Sequence, residues 1–199
     1  TIDVRQFFAK AQQLYGDRQW KLAPHDALDK LMEFFAARLR NYFMSQGQDT
    51  LLVDAALGAG AEDVKDCGAR LAALAAFSQA TDYEAAVQTF KRVANILRKQ
   101  GQAEELSDHW DPALLREDAE KELAAVLEEM LPRLDALWAT HDHAAALACL
   151  SDVRPAVDAF FAGVMVMCDE ADLRRNRLSM LHGLGSRFAR LADFSALQM

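Results

Sequence analysis

Three groups of residues in this chain have types and spacing that could do chemistry: a His-Asp-His triplet, a His-Asp doublet and two runs of bases without acids. His141-Asp142-His143, with Cys149 nearby, contains metal-ligand residue types. Two positions apart on a helix, the imidazoles would point to different sides. The spacing therefore predicts a solvated loop in which Asp142 or His141 caps the next helix. His25-Asp26 has no second His-Asp set beside it and predicts a loop. No CxxC pair, nucleophile elbow, phosphate-cradling glycine loop, HExxH or Walker pattern occurs, so neither a metal site nor a catalytic centre is expected.

The bases are the stronger lead. Lys91-Arg92-Val-Ala-Asn95-Ile-Leu-Arg98-Lys99 carries four bases and no acid. From Leu173 to Ala192 there are five arginines and no acid, with Arg174, Arg175, Asn176 and Arg177 at one end and Arg187 and Arg190 at the other. Exposed helix faces are commonly charged, and cations near a helix C-terminus complement its dipole. The lack of any acid within either run points further, toward an anionic ligand. The acids lie elsewhere: Glu104 to Asp142 holds 12 acids against 3 bases. The formal net charge of −8 argues against a surface coated by nucleic acid. It does not exclude a local basic patch, because fields fade over about 8 Å at physiological salt.

The elements that must position these residues are helical. The chain has 199 residues, 52% of them hydrophobic, with only nine glycines and four prolines to interrupt it. Ala and Leu outnumber β-branched residues, which predicts an all-α bundle with a substantial core. Ile2 to Tyr15 reads as a helix ended by Gly16. After a loop through Trp20 and Pro24-His25, a second runs from Leu28 to Gln46. Asp49 or Thr50 caps a short helix that stops near Gly58, and Gly58-Ala-Gly60 is a hinge. Glu62 to Gln79 carries Val64, Cys67, Leu71 and Leu74 on one face. Asp82 opens a helix from Tyr83 to about Gln100, closed by Gly101, whose stripe of Tyr83, Ala86, Val87, Phe90, Ala94 and Leu97 leaves Lys91, Asn95 and Arg98 outside.

An acidic loop containing Trp110 leads to Asp111-Pro112 and a helical region to about Thr140, which Pro132 should bend or split. A shorter helix follows from His143 to Leu150. Pro155 suits the first turn of a new, central helix through Met167, with Val157, Phe160, Phe161, Val164 and Cys168 on its buried face. Phe160, Phe161, Val164 and Met165 are expected to be scaffold. Asp169 to Asp172 caps a last helix ending near Asp193. No apolar run reaches the roughly 18 residues that span a membrane, and no signal peptide is seen. Three well-separated cysteines suggest a reduced, intracellular setting.

Three stretches carry a family resemblance: Phe90-Lys-Arg-Val-Ala-Asn-Ile-Leu97, Arg154 through Met167, and Asn176-Arg-Leu178 with Ala192-Asp-Phe-Ser195. A looser likeness covers Phe34-Phe35 and Leu39-Arg40-Asn41-Tyr42. On these the chain resembles the C-terminal part of the bacterial glycyl-tRNA synthetase beta subunit. The start at Thr1 reads as running sequence, and Ala192 to Gln198 looks like that subunit's own C-terminus.

The resemblance implies a DALR-type helical anticodon-binding domain over residues 81–199. Residues 1–80 would be the end of a preceding helical region related to His-Asp phosphohydrolases. His25-Asp26 alone does not establish that active site. In the family two alpha and two beta chains form a cytoplasmic heterotetramer. The alpha subunit uses ATP and Mg to make glycyl-adenylate, so this chain itself needs no cofactor, and the beta chain grips tRNA(Gly). No DNA or membrane partner is implied.

Glycine anticodons end in two cytosines, each offering an N4 donor with O2 and N3 acceptors. A reader needs a carbonyl or carboxylate beside Arg, Lys or Asn, with planes on which splayed bases stack. By position, Arg98, Lys99, Arg174 and Arg177 are the expected tRNA contacts, with Lys91, Arg92 and Asn95 next. The alternatives are a helical protein–protein interaction module without RNA binding, and a metal-dependent hydrolase using His25, His141 and His143.

Overall fold

Aspartates begin half of the α-helices among the described residues. Asp3, Asp49, Asp63 and Asp142 each accept a hydrogen bond from an amide in the first turn they precede, satisfying donors that have no partner inside the helix. Glu117 and Glu120 do the same reciprocally as a capping box. The computed structural model describes residues 2–16, 21–100 and 106–197. The expected roles of Trp20, Gly101 and Gln198 lie outside those residues.

Eight α-helices follow in order among them: α1 Val4–Gln13, α2 Pro24–Ser45, α3 Thr50–Gly58, α4 Val64–Phe77, α5 Tyr83–Gln100, α6 Asp118–Ala139, α7 His143–Gly163 and α8 Ala171–Ala189. Short 3₁₀ turns occupy Pro112–Leu114 and Phe194–Ala196. No strand forms among the described residues; the single antiparallel bridge joins Asp3 to Asp63. The protein is all-α, as its composition predicts.

α6 and α7 pack along each other, α5 and α6 both lie against α8, and α4 leans on α7. In α8, Asn176 through Leu181 are buried in an unbroken row. Two glycines let its neighbours approach: a Cβ at Gly183 would meet Leu131 Cδ1 at 3.4 Å, and one at Gly185 would meet Leu97 Cδ1 at 2.4 Å. Phe90 of α5 stacks on Phe188 of α8 at 4.1 Å between centroids and meets Phe194 at 5.2 Å. The buried cluster runs without a gap from Leu39 of α2 to Leu197. By contrast α1 buries no residue fully.

Two expectations about proline are corrected. Pro155 sits inside α7, which is one helix of 21 residues, not the start of a second. Pro132 lies inside an unbroken α6. A helix-interior proline costs about 3 kcal/mol through a lost hydrogen bond and a ring clash. Burying a Leu, Val or Phe side chain returns about 1.5–3 kcal/mol. Leu123, Leu127 and Leu134 of α6, with Leu147, Leu150, Val153, Val157 and Phe160 of α7, are all essentially inaccessible. Packing outweighs the local penalty several times over. α7 then ends at Gly163, so Val164 to Met167 leave the helix, and Met165 is 75% exposed, not scaffold.

Arg70 of α4 joins the first helices to the rest. Its buried guanidinium donates to Asp66 Oδ2, to the carbonyls of Ala56 and Gly60, and to the carbonyl of Leu191 beyond α8. Replacing Arg70 with Ala strands these acceptors and leaves Asp66 without its cation, at a cost of about 3–5 kcal/mol. Urea unfolding of R70A is expected to show a loss of that size; a change under about 0.5 kcal/mol would contradict the role.

Candidate nucleic-acid interface

α5 separates two chemistries around its axis. Ala86, Val87, Phe90 and Val93 are buried toward α7 and α8. Thr89 Oγ1 fixes the helix to α7, lying 2.7 Å from Asp158 Oδ1. The other face follows the i, i+3, i+4, i+7, i+11 spacing. Gln88, Lys91, Arg92, Asn95 and Lys99, with Ile96 beside them, line a shallow groove of about 430 Å³. Lys91 Nζ donates to the Leu197 carbonyl at 2.6 Å, holding the end of the described chain against the groove. The Arg92 guanidinium sits over Phe161 of α7, its Cζ 4.0 Å from the ring centroid. Arg98 Nη2 donates to Asn95 Oδ1 at 2.8 Å. Among the described residues no carboxylate pairs with Lys91, Arg92, Arg98 or Lys99, and within them these four positive charges on one helix have no acidic partner.

The second basic run is different. Arg177 is 4% exposed; its Nε donates to the fully buried carboxylate of Glu120 and its Nη1 to the Met165 carbonyl at 2.8 Å. The expectation that it touches tRNA is corrected: it is an internal cation. Burial pushes the Glu120 carboxyl upward, but the amides of Glu117 and Arg116 and the Arg177 guanidinium outweigh it and hold Glu120 below the usual carboxylate range. Arg174 is half-buried and donates to the Cys168 carbonyl at 2.8 Å, closing the turn before α8. Asn176 binds the backbone of Asp111 through both ends of its amide. Arg187 pairs with Asp108 at 2.7 Å and Asp135 at 2.8 Å, and Arg190 reaches Asp135 at 3.5 Å. For Arg177, Arg187 and Arg190 the acids missing from within this run come from Asp108, Glu120 and Asp135.

Of the seven residues expected at the interface, the structure gathers Lys91, Arg92, Asn95, Arg98 and Lys99 on α5 and sets Arg174 and Arg177 apart. Gln88 and Ile96 join the groove, and helical spacing alone would have found both. Phe161, the platform under Arg92, comes from another helix, and no local signal points to it. His141 and His143 do not point apart, because His141 precedes α7 in a left-handed turn with φ 56°; both reach Asp66. His25 stays exposed beside Asp26 at 2.9 Å on the first turn of α2 and does not join them.

Among the described residues the groove is lined by bases and no carboxylate, and the sequence comparison gives the class. Residues 87–192 match the DALR anticodon binding domain, and the chain belongs to that family. The individual proteins it is most usefully set beside are glycine–tRNA ligase beta subunits. It is 59% identical over 200 residues to that of Nitratidesulfovibrio vulgaris strain Hildenborough, a match covering 100% of this chain and 29% of the relative. For Oleidesulfovibrio alaskensis the identity is 55% over 200 residues, with the same coverage. For Vibrio parahaemolyticus it is 37% over 198 residues, covering 100% of this chain and 28% of the relative. The chain thus spans less than a third of the length of these relatives.

The internal role of Arg177 is testable through pH. Because the folded state lowers the Glu120 pKa, its stabilisation is fully present above the ordinary value of about 4.3 and is lost as pH falls through the depressed one. E120Q should therefore be less stable than the wild type at pH 7, with the gap closing below about pH 4. Arg177→Met should cost about 3–5 kcal/mol by leaving Glu120 buried and unpaired. Thermal melts across pH check both; a pH-independent gap would contradict the pairing.

Proposed function

We propose that this chain is the anticodon-arm-binding portion of the beta subunit of a heterotetrameric glycine–tRNA ligase, holding tRNA(Gly) while an alpha subunit performs ATP-dependent glycylation. The observation that carries this reading is the α5 face of Lys91, Arg92, Asn95, Arg98 and Lys99, set in a family whose members bind anticodons. Lysines and arginines without local acids release counterions from a phosphate backbone, which supplies most non-specific affinity. Specificity needs base edges. Asn95 and Arg98, hydrogen-bonded to each other, put an amide carbonyl next to a guanidinium, the pairing a cytosine edge requires. The guanidinium of Arg92, held 4.0 Å from the Phe161 ring centroid, offers a surface on which an unstacked base can lie.

Residues 81–199 form the binding bundle in this proposal, and residues 1–80 close a preceding helical region. The setting is cytoplasmic and involves neither DNA nor a membrane; no described helix is long and apolar enough to cross one. One observation favours a protein-contact role for the first helices in addition: Phe7, Phe34 and Tyr42 on α1 and α2 are each more than half exposed. That role is compatible with RNA held on α5.

Fluorescence titration of the chain with an anticodon stem-loop of tRNA(Gly), and with the same hairpin altered at the second and third anticodon bases, tests the proposal. The native loop should bind more tightly by about 1–3 kcal/mol per altered base, as at other base-reading sites. Lys91→Ala and Lys99→Ala should each lower the salt slope by about one unit. Equal affinity for both hairpins would overturn specific reading, and unchanged binding by the α5 variants would move the site elsewhere.

A further inference from the structure

His141 and His143 converge on one carboxylate that belongs to a distant part of the chain. His141 Nδ1 lies 2.7 Å and His143 Nε2 2.8 Å from Asp66 Oδ1. The other carboxylate oxygen, Oδ2, accepts from Arg70 Nε at 2.8 Å. Asp66 sits in the first turn of α4, where its own amide is capped by Asp63. The left-handed turn at His141 swings that ring back across α4, while Asp142 caps α7 through the Ala145 amide at 3.0 Å. The ligand atoms of the three residues all lie within 4.8 Å of one another. The His143 ring is buried, and its Nδ1 makes no hydrogen bond. No second partner therefore dictates which of its nitrogens carries the proton. The His141 side chain is 60% exposed, which leaves one side of the cluster open to solvent.

We propose that Asp66, His141 and His143 bind one divalent transition-metal ion of the zinc class. Two imidazoles and one carboxylate form a mixed nitrogen–oxygen set that suits zinc, cobalt or nickel, whereas magnesium and calcium take oxygen ligands. Three protein ligands leave the remaining position to water on the exposed side. Ligand atoms around a tetrahedral zinc stand about 3.3 Å apart, given bonds of about 2.0–2.1 Å. The cluster must open by about half an ångström to admit the ion, and the exposed His141 ring is the member able to move. His141 Nδ1 and His143 Nε2 would each give a lone pair to the metal, with the proton carried on the other ring nitrogen, Nε2 of His141 and Nδ1 of His143. Arg70 stays on Oδ2 and orients the carboxylate, as outer partners of metal ligands do. The ion joins α4 to the turn between α6 and α7, so its role is to clasp the first helices to the bundle.

The test is a titration of the metal-stripped chain with Zn²⁺, followed by competition with a chelating dye and by melting temperature, with Co²⁺ absorption as a second readout. Saturable binding of one ion per chain is expected, with a rise in melting temperature, since the ion binds the folded state. His141→Ala removes only the exposed ligand and leaves the buried His143–Asp66–Arg70 contacts, so the variant folds. It should bind more than about tenfold more weakly and lose the Co²⁺ visible band. His182→Ala, at a separate His–Asp pair on Asp108, should bind as the wild type does. No one-to-one binding, or equal binding by wild type and His141→Ala, would overturn the proposal and leave the cluster as hydrogen bonds alone.

Discussion

A buried guanidinium must find an acceptor for nearly every N–H it carries, and Arg70 finds them on three separate pieces of chain. Its hydrogen bonds reach the last turn of α3 at Ala56, the Gly60 turn, and Leu191, which is 121 residues away. An ion stripped of water is expensive, and the penalty is recovered only if all of these acceptors stand in place together. The geometry is therefore an all-or-none constraint on how α3 and α4 meet the end of α8. From there the constraint propagates: Asp193 N donates to Ala55 O at 2.8 Å, Phe194 packs against Phe90, and Lys91 holds the Leu197 carbonyl. The position of the basic groove on α5 follows from a buried arginine on α4.

Charge is sorted in the same way. Acids of the segment before α7 pair with three of the arginines at α8: Glu120 with Arg177, Asp108 with Arg187, and Asp135 with Arg187 and Arg190. A chain with a net charge of −8 can still carry a local basic face. At a Debye length of about 8 Å, such a local face is what a phosphate experiences at contact, not the sum over the molecule. Members of one residue class differ in role by position: Arg177 and Arg187 hold the bundle, and those of α5 have no acidic partner among the described residues.

Much of this was legible in the sequence. The period of 3.6 in Tyr83–Gln100 marked both the buried and the basic face of α5, and aspartates before apolar runs marked the helix starts. Pro132 and Pro155 misled because proline's local cost is visible in a sequence whereas the packing that overrides it is not. The triplet His141-Asp-His143 misled for a related reason. Its spacing argument holds on a helix, and one residue at positive φ took His141 off it. Arg177 looked like its neighbours, and only the partner 57 positions away shows that it points inward. What escaped was in each case a contact between distant segments, which no local pattern records.

The central claim is that RNA meets α5 and not α8. Photocrosslinking gives the most direct measurement: an anticodon stem-loop of tRNA(Gly) with a photoreactive base in the loop is irradiated on the chain, and the crosslinked peptides are sequenced. Crosslinks within residues 88–99 are the expected result. Crosslinks concentrated between Arg174 and Arg190, with none on α5, would contradict the account.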